Sequence, residues 1–242
     1  MKKIFFKIVL ALLLSNSVFG QTNNPFPYLT EITNSADSSV HLYVDKGNAE
    51  IINKKLKDLD EEHSLYTAND DCESEMVLLA IAPINDTHKK YAIIYGHCPE
   101  SEFHLYGADD ISKYYGSVSG LKMYVTGNGN LYVSGHVNSN FNHKRKFSFE
   151  EDKITEVKQP YYHVGLKTKT LNPLTIYRSK HMYDEVATLP ENYKIEVVLA
   201  ESNHQYEGLY LIKTDFGLTG WAKIKAGQYQ SIDVEGIFWN GD

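Results

Sequence analysis

Residues 121–137 read Leu-Lys-Met-Tyr-Val-Thr-Gly-Asn-Gly-Asn-Leu-Tyr-Val-Ser-Gly-His-Val, and this stretch decides the fold class. Apolar residues alternate with other residues on both sides of Gly127–Asn130, and a period of two is typical of a half-buried strand. Glycine and asparagine accept the positive φ that a tight turn needs. The stretch therefore predicts an antiparallel hairpin and a mainly β protein.

Further short apolar runs lie on both sides of this hairpin. Those interpreted as strands are Val40–Val44, Met76–Ile84, Tyr91–Tyr95, Lys146–Phe149 and Ile154–Val157. The last two flank a turn at Glu150–Lys153 and form a second predicted hairpin. Together the runs predict an antiparallel, β-rich N-terminal domain.

One helix is predicted in this first domain, which makes it α+β. Asn48 can cap a helix whose apolar stripe consists of Ile51, Ile52, Leu56 and Leu59. The dipeptide Gln159-Pro160 interrupts the strand pattern, because proline and the residue before it resist regular pairing. We therefore place a boundary near residues 158–170, between a domain at 21–160 and a second one at 161–242.

The C-terminal third contains five short strands at regular spacing. They are Leu174–Ser179, Val186–Pro190, Ile195–Leu199, Tyr210–Thr214 and Phe216–Ile224. Strands of this length with turn residues between them predict a small closed barrel. The strand ending in Tyr-Arg-Ser, the Ala-Thr-Leu-Pro segment and the late Gly220-Trp221 pair resemble a bacterial SH3-like domain over Leu171 to Ala226.

The resemblance implies a binding role. SH3-like domains in exported bacterial proteins bind cell-wall peptides or glycans, dock a neighbouring domain or accompany cell-wall hydrolases. Tyr177 and Trp221 are the candidate ligand-binding residues. The favoured interpretation of Trp221 is that it packs the barrel core, and in the alternative its face lines a ligand groove. Trp239 is a third candidate in the apolar segment Ile237-Phe238-Trp239. This segment is tied down as a final strand, is inserted between the two domains, or forms an exposed aromatic patch that recruits a partner.

Residues 1–20 have the pattern of a cleavable signal peptide. A basic start precedes an apolar core too short to span a bilayer, and Val18 and Gly20 stand at the −3 and −1 positions. We expect cleavage before Gln21, export to the periplasm or beyond the cell, and a soluble mature chain with no transmembrane segment. Its two cysteines, Cys72 and Cys98, are then expected to form a disulfide.

The charge balance makes nucleic acid an improbable class of partner. The chain has 24 basic and 31 acidic residues, and loss of Lys2, Lys3 and Lys7 with the signal peptide changes the formal charge from −7 to about −10. Binding to phosphates draws its affinity from lysine and arginine, so an acidic chain favours other partners. A cell-wall component or an envelope protein fits better.

Local catalytic, metal-binding and cofactor motifs are not found in the sequence, so no catalytic residue, metal ligand or cofactor is predicted. The leading hypothesis is a non-enzymatic binding or scaffolding protein of a bacterial envelope. A cell-wall or glycan hydrolase is the alternative, because two carboxylates on separate strands leave no local motif; Cys98 with a histidine is another possible nucleophile. A third possibility is an inhibitor or assembly partner that presents Tyr114-Tyr115 or Tyr161-Tyr162 to another protein.

Overall fold

The computed structural model describes residues 24–68, 72–97, 100–201, 207–225, 227 and 229–241. Strands arranged in three sheets dominate this part of the chain, which confirms the mainly β class. The predicted signal peptide lies outside the described residues. Among the described residues, no helix has the length and apolarity needed to cross a bilayer.

Seventeen strands are numbered along the described chain. They are β1 (Thr30–Thr33), β2 (His41–Val44), β3 (Glu50–Lys55), β4 (Val77–Pro83), β5 (Lys90–His97), β6 (Ser101–Gly107), β7 (Asp110–Ser119), β8 (Lys122–Val125), β9 (Asn130–Gly135), β10 (His143–Glu150), β11 (Lys153–Glu156), β12 (Tyr162–Lys169), β13 (Leu174–Tyr177), β14 (Glu185–Leu189), β15 (Lys194–Ala200), β16 (Glu207–Thr214) and β17 (Thr219–Lys225). Short 3₁₀ helices occur at Leu56–Asp58 and Glu73–Glu75.

The first sheet has the strand order β1-β2-β8-β9-β10-β11 and contains both predicted hairpins. Strands β8 and β9 pair antiparallel around Gly127 and Gly129, which both have positive φ. Strands β10 and β11 are joined by Glu151 and Asp152, also at positive φ. The pairing differs from the expected antiparallel arrangement at β2 and β8, which run parallel because the chain builds the second sheet between them.

The second sheet, β3-β4-β5-β6-β7, packs face to face against the first. Side chains from both sheets form one apolar core, to which β5 contributes Tyr91 and Ile93 and β9 contributes Leu131 and Val133. The other face of β4 and β5 packs on Leu56, Leu59 and Leu65 in a smaller cluster. The near-continuous apolar runs of β4 and β5 are explained by this burial on both faces.

The helix predicted around residues 48–59 is wrong. Glu50–Lys55 forms strand β3, and only Leu56–Asp58 is a short 3₁₀ helix. The register between β3 and β4 shifts between Ile51 and Lys54, and Asn53 in that gap has a φ of 52°. This bulge changes which residues face β4, so apolar residues recur at a spacing that imitates a helix.

The third sheet has the order β12-β15-β16-β17-β13-β14. Its last five strands along the chain, β13 to β17, match the five predicted in the C-terminal third, and β12 is an addition at its edge. Buried residues such as Ile176, Val197 and Ile212 form its core. Phe141, which precedes β10, also packs in this core, so the core draws on residues on both sides of Pro160.

Residues 230–240 tie the third sheet to the segment between β9 and β10. Ile237 is buried in the core of the third sheet, and an isolated bridge joins Asn240 to Ser139. The His136 ring nitrogen Nε2 lies 3.0 Å from the Phe238 carbonyl oxygen, and the Asn240 amide donates to the His136 carbonyl. The segment is therefore held in place by packing and by hydrogen bonds.

We expect Ile237→Ala to lower the free energy of unfolding by about 2–4 kcal/mol, because it opens a cavity at a position that is 1% exposed. Ile232→Ala is the matched control, since Ile232 in the same segment is 52% exposed and should lose less than about 1 kcal/mol. Denaturant unfolding of both variants measures the difference. Equal losses would contradict a structural role for the segment.

Candidate functional site

The outer face of the first sheet carries a row of aromatic side chains. Tyr43 on β2, Tyr124 on β8 and Tyr132 on β9 are successive cross-strand partners. Glu31 and Lys146 occupy the two ends of the same row. Since successive strand residues point to opposite faces, Met123, Leu131 and Phe147 go to the core while this row points away from it.

Tyr124 and Tyr132 of this row form the floor of a groove. Tyr43, which is 3% exposed, supports the floor by stacking on Tyr124 with ring centroids 4.3 Å apart. Phe26, from the segment before β1, covers the other end, with its ring centroid 4.8 Å from Tyr132 and 5.5 Å from Tyr124. Pro25, Lys144, Lys146 and the segment after β11 complete the walls of a cavity of about 610 Å³. An aromatic concavity with a few polar groups is typical of a ligand site.

The charge of the groove is opposite to that of the chain. Lys144 and Lys146 project on the same face of β10, and their neighbour Arg145 also contributes to the lining. Ser134 and Gln159 supply uncharged polar groups. Among the described residues that line the groove there is no aspartate or glutamate.

Burial favours the neutral form of Tyr124 and of its stacking partner Tyr43. It raises the pKa of Tyr124, and it raises the pKa of Tyr43 well above its usual range, with further contributions from Tyr124 and Glu31. Neutral phenol rings present an apolar face together with a hydroxyl that can donate or accept. The floor can therefore hold a flat, partly apolar ligand.

Beneath the groove, β10 turns its other face towards the third sheet. The His143 ring lies 4.2 Å from that of Tyr162 and 5.3 Å from that of Phe141, between centroids. Arg145 donates to the Ser119 carbonyl at the end of β7. Desolvation, with a smaller effect of Arg145, lowers the pKa of His143 to about 4.

Two of the residues predicted from the SH3-like resemblance are neighbours. Tyr177 and Trp221 are cross-strand partners on the outer face of the third sheet, in one row with Leu211 and Leu199. Trp221 is partly exposed there, so it does not fill the sheet's core. The Tyr161 ring lies 5.6 Å from that of Trp221, and the Lys180 ammonium lies over both rings. This surface is a second aromatic patch.

Trp239 is separate from that row. It belongs to the 230–240 segment, where its backbone N–H donates to the Tyr229 carbonyl at 3.1 Å. Its indole Nε1 is buried and has no hydrogen-bond partner among the described residues. The structure thus brings together Tyr177 and Trp221 but not Trp239.

The predicted tyrosine pairs both divide between core and solvent. Tyr115 packs against the core of the sandwich while Tyr114 is half exposed, and Tyr162 is buried while Tyr161 is exposed. Alternation along a strand produces this division. Neither pair therefore presents two rings to a partner.

Carboxylates converge in a different cavity, of about 890 Å³, beside β3, β5 and β7. Asp110 accepts from the Ser112 backbone and hydroxyl, and Asp152 accepts from Lys89 and from the Tyr91 hydroxyl. These bonds lower the pKa of both carboxyl groups. A glycosidase needs one carboxyl with a raised pKa as proton donor, which neither of these supplies.

The described residues contain no cluster of three or more histidine, cysteine, aspartate or glutamate side chains that could hold a metal ion. Cys98 lies outside the described residues. Cys72 Sγ is 3.4 Å from the carbonyl oxygen of His97, the residue before Cys98.

Comparisons with protein-family models, with curated proteins and with solved structures found no match to this chain.

The low pKa of His143 gives a pH-dependent stability. The unfolded chain binds a proton near pH 6.5 that the folded chain does not bind until about pH 4, so the free energy of unfolding falls as the pH falls through this window. Replacing His143 by Phe removes that loss. We expect the stability of His143→Phe relative to the parent to rise by about 1–3 kcal/mol between pH 7 and pH 4 in denaturant unfolding. Parallel stability curves would contradict the assignment.

Proposed function

We propose that this chain is an exported protein of a bacterial envelope that binds a cell-wall glycan in the groove on the first sheet. The observation that carries the proposal is the floor of Tyr124, Tyr132 and Phe26. The C–H-rich face of a sugar ring packs well on aromatic rings, and its hydroxyl groups find partners in Ser134, Gln159 and the lysines. The role is binding or scaffolding, not catalysis.

The third sheet is proposed to be an SH3-like module that supports this role. Its five strands β13 to β17 follow the order of the resemblance, and Trp221 stands on an outer face beside Tyr177 and Tyr161. The Lys180–Glu201 ion pair lies beside this patch. The patch is therefore a candidate for contact with a protein or with a longer stretch of the wall.

Export also supports a disulfide between Cys72 and Cys98. The apolar N-terminal segment directs the chain to an oxidising compartment, and Cys72 lies against the residue that precedes Cys98. The bond would close a loop of 27 residues, from 72 to 98. Its effect would be to hold the start of β4 against the end of β5.

We expect mass spectrometry of the non-reduced protein to find the two cysteine peptides linked. Replacing both cysteines by serine should lower the free energy of unfolding by roughly 3–4 kcal/mol, because the unfolded chain gains freedom. Reduction of the parent should have the same effect as the double replacement. A free Cys98 thiol in the exported protein would refute the bond.

The glycan proposal is tested by sedimentation with purified peptidoglycan. We expect Tyr132→Ala to weaken binding at least tenfold, because it removes a central aromatic contact. Tyr229→Ala is the control, since Tyr229 is 73% exposed and lies outside the groove. Circular dichroism would establish that both variants fold.

The Trp221→Ala variant distinguishes binding in the groove from binding at the third-sheet patch. Binding that depends on Trp221 and not on Tyr132 would move the site to the third sheet and reject the groove. A parent protein that fails to sediment with peptidoglycan would reject the cell-wall ligand itself.

A further inference from the structure

The groove on the first sheet is basic although the chain is acidic. Lys144 and Lys146 project into it, against a formal charge of −7 for the whole sequence. Three other cavities of the described residues contain both lysines or histidine and carboxylates, among them Asp45 and Asp86, Glu196 and Asp215, or Asp110 and Asp152. The groove differs from these three because its described lining has lysines and no carboxylate.

The two lysines are free to meet an anion. Neither forms an ion pair with a carboxylate of the described residues. The Lys144 ammonium lies 3.2 Å from the His163 Nδ1, and the Lys146 ammonium lies 6.0 Å from the centre of the Tyr132 ring. Both contacts leave donors on the ammonium group unused, since lysine has three.

The geometry places these charges beside the aromatic floor. Lys146 is the cross-strand partner of Tyr132, and Lys144 stands two residues away on the same face, roughly 6.6 Å along the strand. A sugar ring lying on Tyr132 and Tyr124 would therefore have its substituents next to two ammonium groups. Carboxylates at that position would form charge-assisted hydrogen bonds.

We propose that the ligand of this groove is an acidic glycan, whose ring packs on Tyr124 and Tyr132 and whose carboxylate pairs with Lys144 and Lys146. This inference rests on the proposed function, because it names the class of glycan for the same groove. The carboxylate can belong to the sugar, as in a uronic acid, or to a group attached to it, as in the peptide-bearing sugars of the cell wall.

The test compares ligands that differ only in charge. Calorimetric titration of the full mature chain would use short oligogalacturonates, their methyl esters and soluble peptidoglycan fragments. We expect the free acid to bind at least tenfold more tightly than its methyl ester, and added salt to reduce the difference. Tighter binding of the peptidoglycan fragments than of the oligogalacturonates would assign the carboxylate to the attached peptide, and the reverse order would assign it to the sugar.

The variant is Lys144→Gln with Lys146→Gln, which should weaken binding of the acid about five- to tenfold and leave the ester unchanged. Its control is Lys54→Gln with Lys153→Gln, which removes the same charge from two exposed positions outside the groove. Equal losses in the two double variants would show a general charge effect and would overturn the inference.

The remaining outcomes separate the two proposals. If acid and ester bind equally and both need Tyr132, the acidic class is wrong and the glycan groove stands. If a short polyglutamate peptide displaces the acid at equal concentration, charge alone suffices and the glycan class is wrong. If none of the saccharides binds, both proposals fail.

Discussion

The rest of the structure depends on the two-residue alternation of β8, β9 and β10. Inward side chains, among them Met123, Leu131 and Phe147, close the sandwich against the second sheet. The same alternation directs Tyr124, Tyr132 and Lys146 outwards in one row. A slip of one residue in any of these pairings would bury the lysine and expose the core. The stability of the core therefore determines which residues lie on the outer face.

Local patterns predicted most strands but could not supply the site. The turn at Gly127–Asn130 and the runs that became β4 and β5 carry their signal in neighbouring residues. The row of tyrosines depends on the parallel pairing of β2 with β8, two strands separated by the whole second sheet. Phe26 adds a contact from yet another part of the chain. Tyrosines so far apart in the sequence give no local motif. The alternation within each strand predicts only that each tyrosine points away from the core.

The errors have equally local causes. Residues 48–59 imitated a helix because the bulge around Asn53 changes the phase of β3. Strand β7 was not predicted. Most of its residues are exposed or half exposed, so apolar and polar residues do not alternate clearly along it. Strand β12 was not predicted either, because it starts just after Gln159-Pro160, in the region assigned to a domain boundary. The His143 ring contacts the Tyr162 ring and so joins β10 to β12. A contact between two segments cannot be predicted from the sequence pattern of either one.

The positions of the aromatic residues determine which optical signals report on which surface. The chain has two tryptophans, and neither Trp221 nor Trp239 lines the groove. Indole emission therefore monitors the third sheet and the 230–240 segment. Close tyrosine pairs occur beside the groove, at Tyr43 and Tyr124, and also on the second sheet, at Tyr106 and Tyr114, so tyrosine ellipticity reports on both sheets of the sandwich. Indole emission alone can thus tell ligand binding at Trp221 from ligand binding in the groove.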